Sequence, residues 1–153
     1  MAKGSVGMVQ RITGPVVDIL FSMNEIPDIF NAVNVEVNSE VYTLEVSQHL
    51  GDGEVRCISM NPTDGMSRGM RAVDTGEPIN ISVGEETLGR MVNVTGAPID
   101  RGERIETAEK WPIHHPAPPF AEIVSSTDIL ETGIKVIDLM TPYIKGGKIG
   151  LFG

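Results

Sequence analysis

Few residues in this 153-residue chain are of a type and spacing that could do chemistry. Asp18 stands among Val16, Val17, Ile19 and Leu20, where a carboxylate could be catalytic. The alternation of the segment instead predicts it as the solvent-side member of a strand. His49 has no histidine, cysteine or carboxylate at a metal-ligand spacing and reads as a loop-edge histidine. Cys57, the one cysteine, has no CxxC partner and reads as a small core residue rather than a nucleophile. His114 and His115 are adjacent, a spacing that suits a metal poorly. Met60, Met66 and Met70 lie in a stretch punctuated by Asn61-Pro62, Gly65 and Gly69, which reads as a mobile loop, with a contact surface as the alternative.

The run Lys148-Ile149-Gly150-Leu151-Phe152-Gly153 carries the one pattern with a specific chemistry. It predicts a short buried strand running into glycine, the way a phosphate-binding loop opens. Such a loop needs glycines so that its amides converge on phosphate oxygens, a lysine for the outer phosphates and a hydroxyl for magnesium. It delivers the anion to a helix amino terminus. Only a first glycine, Gly153, is present.

The elements around these residues divide into two styles. From Gly7 to about Val83 the dominant period is two. Val33, Val35 and Val37 alternate with polar residues, as do Tyr42, Leu44 and Val46, and Ile79, Ile81 and Val83. Gly7–Ile12, Pro15–Phe21 and Glu54–Met60 are further strand candidates. Turn chemistry separates them at Gly14-Pro15, Asn38-Ser39, Gly51-Asp52-Gly53 and Asn61-Pro62. Six or seven short strands in one flat sheet would leave exposed edges, so closure into a barrel is expected.

After Val83 the pattern changes. Gly84–Arg90 predicts a helical turn closed by Gly89, and Met91–Val94 a short strand. Glu103–Lys110 reads as charged and solvated. Trp111–Phe120 holds four prolines and reads as an extended, polyproline-like linker. A helix is expected beyond it, capped by Thr132, with Ile134, Val136, Ile137, Leu139 and Met140 as its apolar face and Pro142 as its end. One helix and one buried strand cannot cover a parallel sheet, so this half reads as the cut-off opening of an α/β domain.

Composition agrees with a turn-rich β protein. With 17 glycines and 10 prolines, these two residues make up about 18% of the chain, against about 12% on average. The net charge of −9 disfavours a nucleic-acid binder or a polybasic membrane anchor. No apolar run approaches the roughly 18 residues of a membrane helix. The start Met1-Ala2-Lys3-Gly4-Ser5 lacks a signal-peptide pattern, and a single cysteine suits a soluble protein of a reducing compartment. The sequons at Asn80 and Asn93 then carry no meaning.

Along essentially its whole length the chain resembles the amino-terminal third of the beta subunit of rotary F-type ATP synthase. The segments that carry the resemblance are Gly7–Asp18, Leu88–Asp100, Ala117-Pro118-Pro119-Phe120, Leu130–Met140 and Pro142–Gly153. The noncatalytic alpha subunit, the V-type subunits and the export ATPases share a helix of the Thr132-Gly133-Ile134-Lys135 kind. The endings Ala117–Phe120 and Lys145–Gly153 look like beta.

The resemblance implies an amino-terminal six-stranded closed β-barrel, residues 1–83, followed by the truncated start of an α/β P-loop NTPase domain, residues 84–153. It implies a partner ring of alternating alpha subunits in a hexamer, a central stalk (gamma) subunit, and membrane contact only through the complex, with no nucleic acid. The location implied is the cytoplasmic face of a bacterial plasma membrane, with an organellar equivalent less favoured. ATP/ADP and Mg2+ are the cofactors implied for the whole protein, and none for this portion. Carried over residue by residue, Gly153 matches the first glycine of the phosphate loop and no residue is assigned to catalysis. Tyr143 reads as a helix-end packing residue rather than an adenine stacker. The expectation is a catalytic subunit whose first 153 residues are inactive alone. A free-standing barrel used as an assembly module is the alternative from another class, and an export-type ATPase fragment a third.

Overall fold

In the computed structural model, residues 4–107, 109–122 and 128–153 are described. Met1, Ala2 and Lys3 of the amino end, and Ala108 of the charged run, lie outside the described residues. The chain forms two compact units, one closing at His115 and the other opening at Pro116.

The first unit is built on six antiparallel strands: β1 (Val6–Thr13), β2 (Val16–Leu20), β3 (Asn31–Val37), β4 (Glu40–Gly51), β5 (Glu54–Ser59) and β6 (Arg71–Pro78). They close in the order β1-β2-β5-β4-β3-β6, so no barrel strand is left as an edge. Closure follows from the period-two pattern. Val9, Val17, Ile19, Val33, Val35, Leu44, Val46, Val55, Cys57 and Ala72 turn inward and are fully buried in one core.

Short turns set the register. Asn38 (φ 51) and Ser39 (φ 69) form a two-residue turn between the paired residues Val37 and Glu40. Both sit in the left-handed region, as the tight hairpin that matches strand twist requires. Asp52 (φ 50) and Gly53 (φ 80) do the same between β4 and β5. At Gly53 a Cβ would lie 2.4 Å from the Phe21 carbonyl oxygen, so only glycine fits there.

The methionine loop does not behave as a free loop throughout. Met66 is buried with the core cluster, and Met70 packs against it. A long unbranched side chain can fill the irregular space at a barrel end, which spacing alone does not reveal.

The alternation at 79–83 belongs to a separate sheet. Asn80–Val83 (β7) pairs with Glu109–Pro112 (β8), and Ile79 is buried beside it. The expected barrel strand is therefore an extra hairpin arm, because β6 already completes the ring by pairing with both β1 and β3. Glu85–Thr87 forms a single 3-10 turn, with Gly89 at φ 71 just after it. Met91–Val94 is not a strand. It contributes one bridge, Val92 to Pro98, because the chain turns back at Gly96. The charged run is not wholly solvated, since Ile105 is buried. The proline-rich run starts as strand β8 rather than as linker, and Pro112 is tolerated because β8 is an edge.

The second unit holds a 3-10 turn at Phe120–Glu122, β9 (Ile129–Leu130), α1 (Lys135–Met140) and β10 (Tyr143–Ile144), with β9 and β10 antiparallel. The helix is shorter than expected and buries none of its residues, and Leu139 is 80% exposed. Thr132 does not cap it. Ile134 occupies that position without a side-chain bond, while Thr132 Oγ1 donates to Asp138 Oδ1 (2.6 Å). Tyr143 pairs with Leu130 across the small sheet. Lys148–Gly153 carries no ladder bonds, and Leu151 and Phe152 are exposed, as expected of such a run without the rest of an α/β sheet.

Candidate functional site

Asp18 is the residue whose surroundings differ most from expectation. Val17 and Ile19 point into the barrel, so Asp18 lies on the outer wall, yet it is only 2% exposed. Two arginines cover it. Arg56 sits directly opposite on β5 and grips both carboxylate oxygens, Nε to Oδ1 at 2.8 Å and Nη2 to Oδ2 at 3.1 Å. Arg11 sits opposite on β1 and donates from Nε to Oδ2 at 2.8 Å, and also from Nη2.

A bulge at Gln10 creates this alignment. The register steps from Val9–Ile19 to Arg11–Asp18, which turns Arg11 to the outer face beside the carboxylate. The Arg56 guanidinium, opposed by burial and aided by Arg11, holds the Asp18 carboxyl below its usual range. A carboxylate kept ionised by two fixed cations is a poor proton acceptor, so this is a structural tie across three strands. The signal that could have found it was arginine at positions 11 and 56. The missing knowledge was the register.

A second carboxylate, Asp100, organises the loop after β7. It takes Arg90 Nε at 2.6 Å and Nη2 at 3.1 Å, and the backbone N–H groups of Gly102 and Met91. The Arg90 bond first, and then the Gly102 N–H, hold it well below the usual carboxylate range. In the second unit Asp138 accepts the Thr132 hydroxyl and the N–H groups of Thr132 and Gly133, which likewise lower its pKa. Both are acceptor-saturated clamps on turns.

The other sequence candidates are scattered. His49 stands on β4 rather than in a loop and donates from Nε2 to the Pro27 carbonyl at 2.7 Å. Cys57 is fully buried, and its thiol is pushed up to about 12 by that burial. His114 donates from Nε2 to Glu45 Oε2 at 2.8 Å, while the His115 ring stacks on Trp111. The two histidines therefore part company. Among the described residues no three His, Cys, Asp or Glu side chains gather as a metal site would require. A cleft of about 450 Å³ between the β7–β8 arm and the loop at 95–107 offers one carboxylate, Glu106, and no histidine or cysteine. Acid–base chemistry needs a better-matched set than that.

Gly153, the single nucleotide-site candidate, has nothing within 4 Å of where a Cβ would sit.

The closed six-stranded barrel is thus the dominant feature, and its outer wall carries ties rather than reactive groups. Residues 9–76 match the ATP synthase alpha/beta family, beta-barrel domain. The barrel strands are thus similar to that family's barrel domain. The match runs from within β1 to within β6. The β7–β8 arm and the second unit lie outside it. No helix among the described residues is long and apolar enough to cross a membrane.

Proposed function

We propose that this chain is the amino-terminal part of the catalytic beta subunit of a rotary F-type ATP synthase, and that its own contribution is structural. The observation that carries this reading is the closed barrel matched to the ATP synthase alpha/beta family. Support for beta over its relatives comes from the sequence, in Ala117–Phe120 and Lys145–Gly153. On this reading the barrel packs beside alpha subunits in an alternating hexameric ring around a gamma stalk. The complex sits on the cytoplasmic face of a bacterial plasma membrane and makes ATP from ADP and phosphate, driven by ion flow.

Residues 84–153 are linker and the incomplete start of the P-loop domain in this proposal. Gly153 is its first loop glycine, and residues beyond it would hold ATP or ADP with Mg2+. Catalysis in such a domain is positioning plus charge stabilisation on the phosphates. The present chain contributes none of those groups.

The deciding experiment is to read the coding DNA past codon 153. A glycine-rich run closing on Gly-Lys-Thr or Gly-Lys-Ser supports the catalytic subunit. A stop codon overturns it and leaves the second reading, a barrel used as an assembly module. The closed ring of six strands supports that reading.

A further inference from the structure

Glu45 lies on the outer wall of β4, between the core residues Leu44 and Val46, yet it is nearly as buried as they are. Its carboxylate has one hydrogen-bond partner among the described residues, His114, 69 positions away in sequence. A carboxylate removed from water with a single partner depends heavily on that partner. The His114 ring also rests on Phe30, with centroids 4.2 Å apart and planes inclined by 32°.

Phe30 is held at φ 73, a left-handed conformation that a bulky residue adopts only under constraint. Its N–H is fixed to the Val46 carbonyl at 2.8 Å, which aims the ring at the same stretch of wall as Glu45. One polar and one apolar surface of the barrel thus converge on one imidazole. The segment carrying that imidazole follows β8 directly. Just before it, the Ile113 N–H donates to the Ile79 carbonyl at 2.9 Å, the last bond of the β7–β8 arm.

We propose that Glu45 and Phe30 form a socket for His114, and that this latch fastens the strap at 109–115 to the barrel wall. The strap is then part of the barrel body through two separate attachments, strand pairing with β7 and the His114 socket. This is a conformational device: it holds the last residues of the first unit, which closes at His115, on the barrel wall. It does not depend on which ATPase subunit the chain represents.

The test is amide hydrogen exchange on the full 153-residue chain, followed at Ile113, with β1 and β2 amides as the internal standard for barrel integrity. Compared with the parent chain, H114A and E45Q should each speed exchange at Ile113 by roughly fivefold to tenfold, the scale of one hydrogen bond lost. Exchange in β1 and β2 should stay unchanged. The double variant H114A/E45Q should be no faster than H114A alone, because H114A already removes the Glu45 contact. E45Q keeps the side-chain volume, so it reports even if a smaller residue at 45 compromises folding. Unchanged exchange at Ile113 in both single variants would overturn the latch. So would effects that simply add in the double variant.

Discussion

Asp18 and Arg56 face each other as register partners on β2 and β5, and the guanidinium engages both oxygens of the carboxylate. Arg11 completes the arrangement from the opposite strand, so one acid ties three neighbouring strands of the barrel. The contact is on the outer wall but largely out of water on the carboxylate side, which makes it stronger than an ordinary surface pair.

Replacing Asp18 by Asn should therefore cost about 1–3 kcal/mol of stability, the scale of charge-assisted hydrogen bonds lost from a buried acceptor. Arg56→Ala should cost more than Arg11→Ala, because the Arg11 side chain is the more exposed of the two. Urea unfolding of the three variants gives the order directly. Equal costs for the two arginine variants would contradict the geometry.

The same site sets a pH dependence. Folding lowers the Asp18 pKa below the roughly 3.9 of an unfolded aspartate. The stabilisation is then fully present above the unfolded value and is lost as pH falls through the lower, folded value. Between pH 5 and 2 the parent chain should lose more stability than Asp18→Asn, which has no proton to take up at that position. Parallel stability curves for the two proteins in that range would refute the assignment.

Cys57 should be silent to thiol reagents in the native state. It is fully buried, and its thiol is pushed up to about 12, so almost no thiolate exists at pH 8. Labelling should proceed at the rate of barrel opening and become rapid in denaturant. Rapid stoichiometric labelling of the folded chain would count against a closed core.

Gly53→Ala tests the β4–β5 turn. Its φ of 80 costs an alanine about 1–2 kcal/mol by itself. A Cβ placed 2.4 Å from the Phe21 carbonyl oxygen must also push the backbone aside. Gly14→Ala, at φ 58 with nothing within 4 Å, should show the conformational cost alone. The Gly53 variant should have the lower melting temperature of the two.

Exchange should also separate the two units. Amides of the barrel ladders should be slow. Those of 149–153 should exchange at near-random-coil rates, since Leu151 and Phe152 are exposed and no ladder bond covers them. Strong protection through Phe152 would show partners for that segment which this fold does not provide.

Much of the barrel was legible in the sequence because two local rules sufficed. Alternation at Val33, Val35 and Val37 assigns a core face, and Asn38-Ser39 or Asp52-Gly53 can only be tight turns. The reading of Cys57 as a core residue also needed nothing more than local spacing. Tertiary structure decided whatever depended on register and on pairing between distant segments. Asp18 looked solvent-facing because alternation sorts faces but cannot see a bulge at Gln10 bringing Arg11 alongside. Ile79–Val83 has barrel periodicity, but the ring was already closed by β6, so that strand found Glu109–Pro112 instead. Glu45 and His114 are 69 residues apart, and no local pattern links them. A chain specifies its own turns and its own inward face through near-neighbour sterics and hydrophobic burial. Which outward-facing charges end up side by side is fixed only when the strands pair.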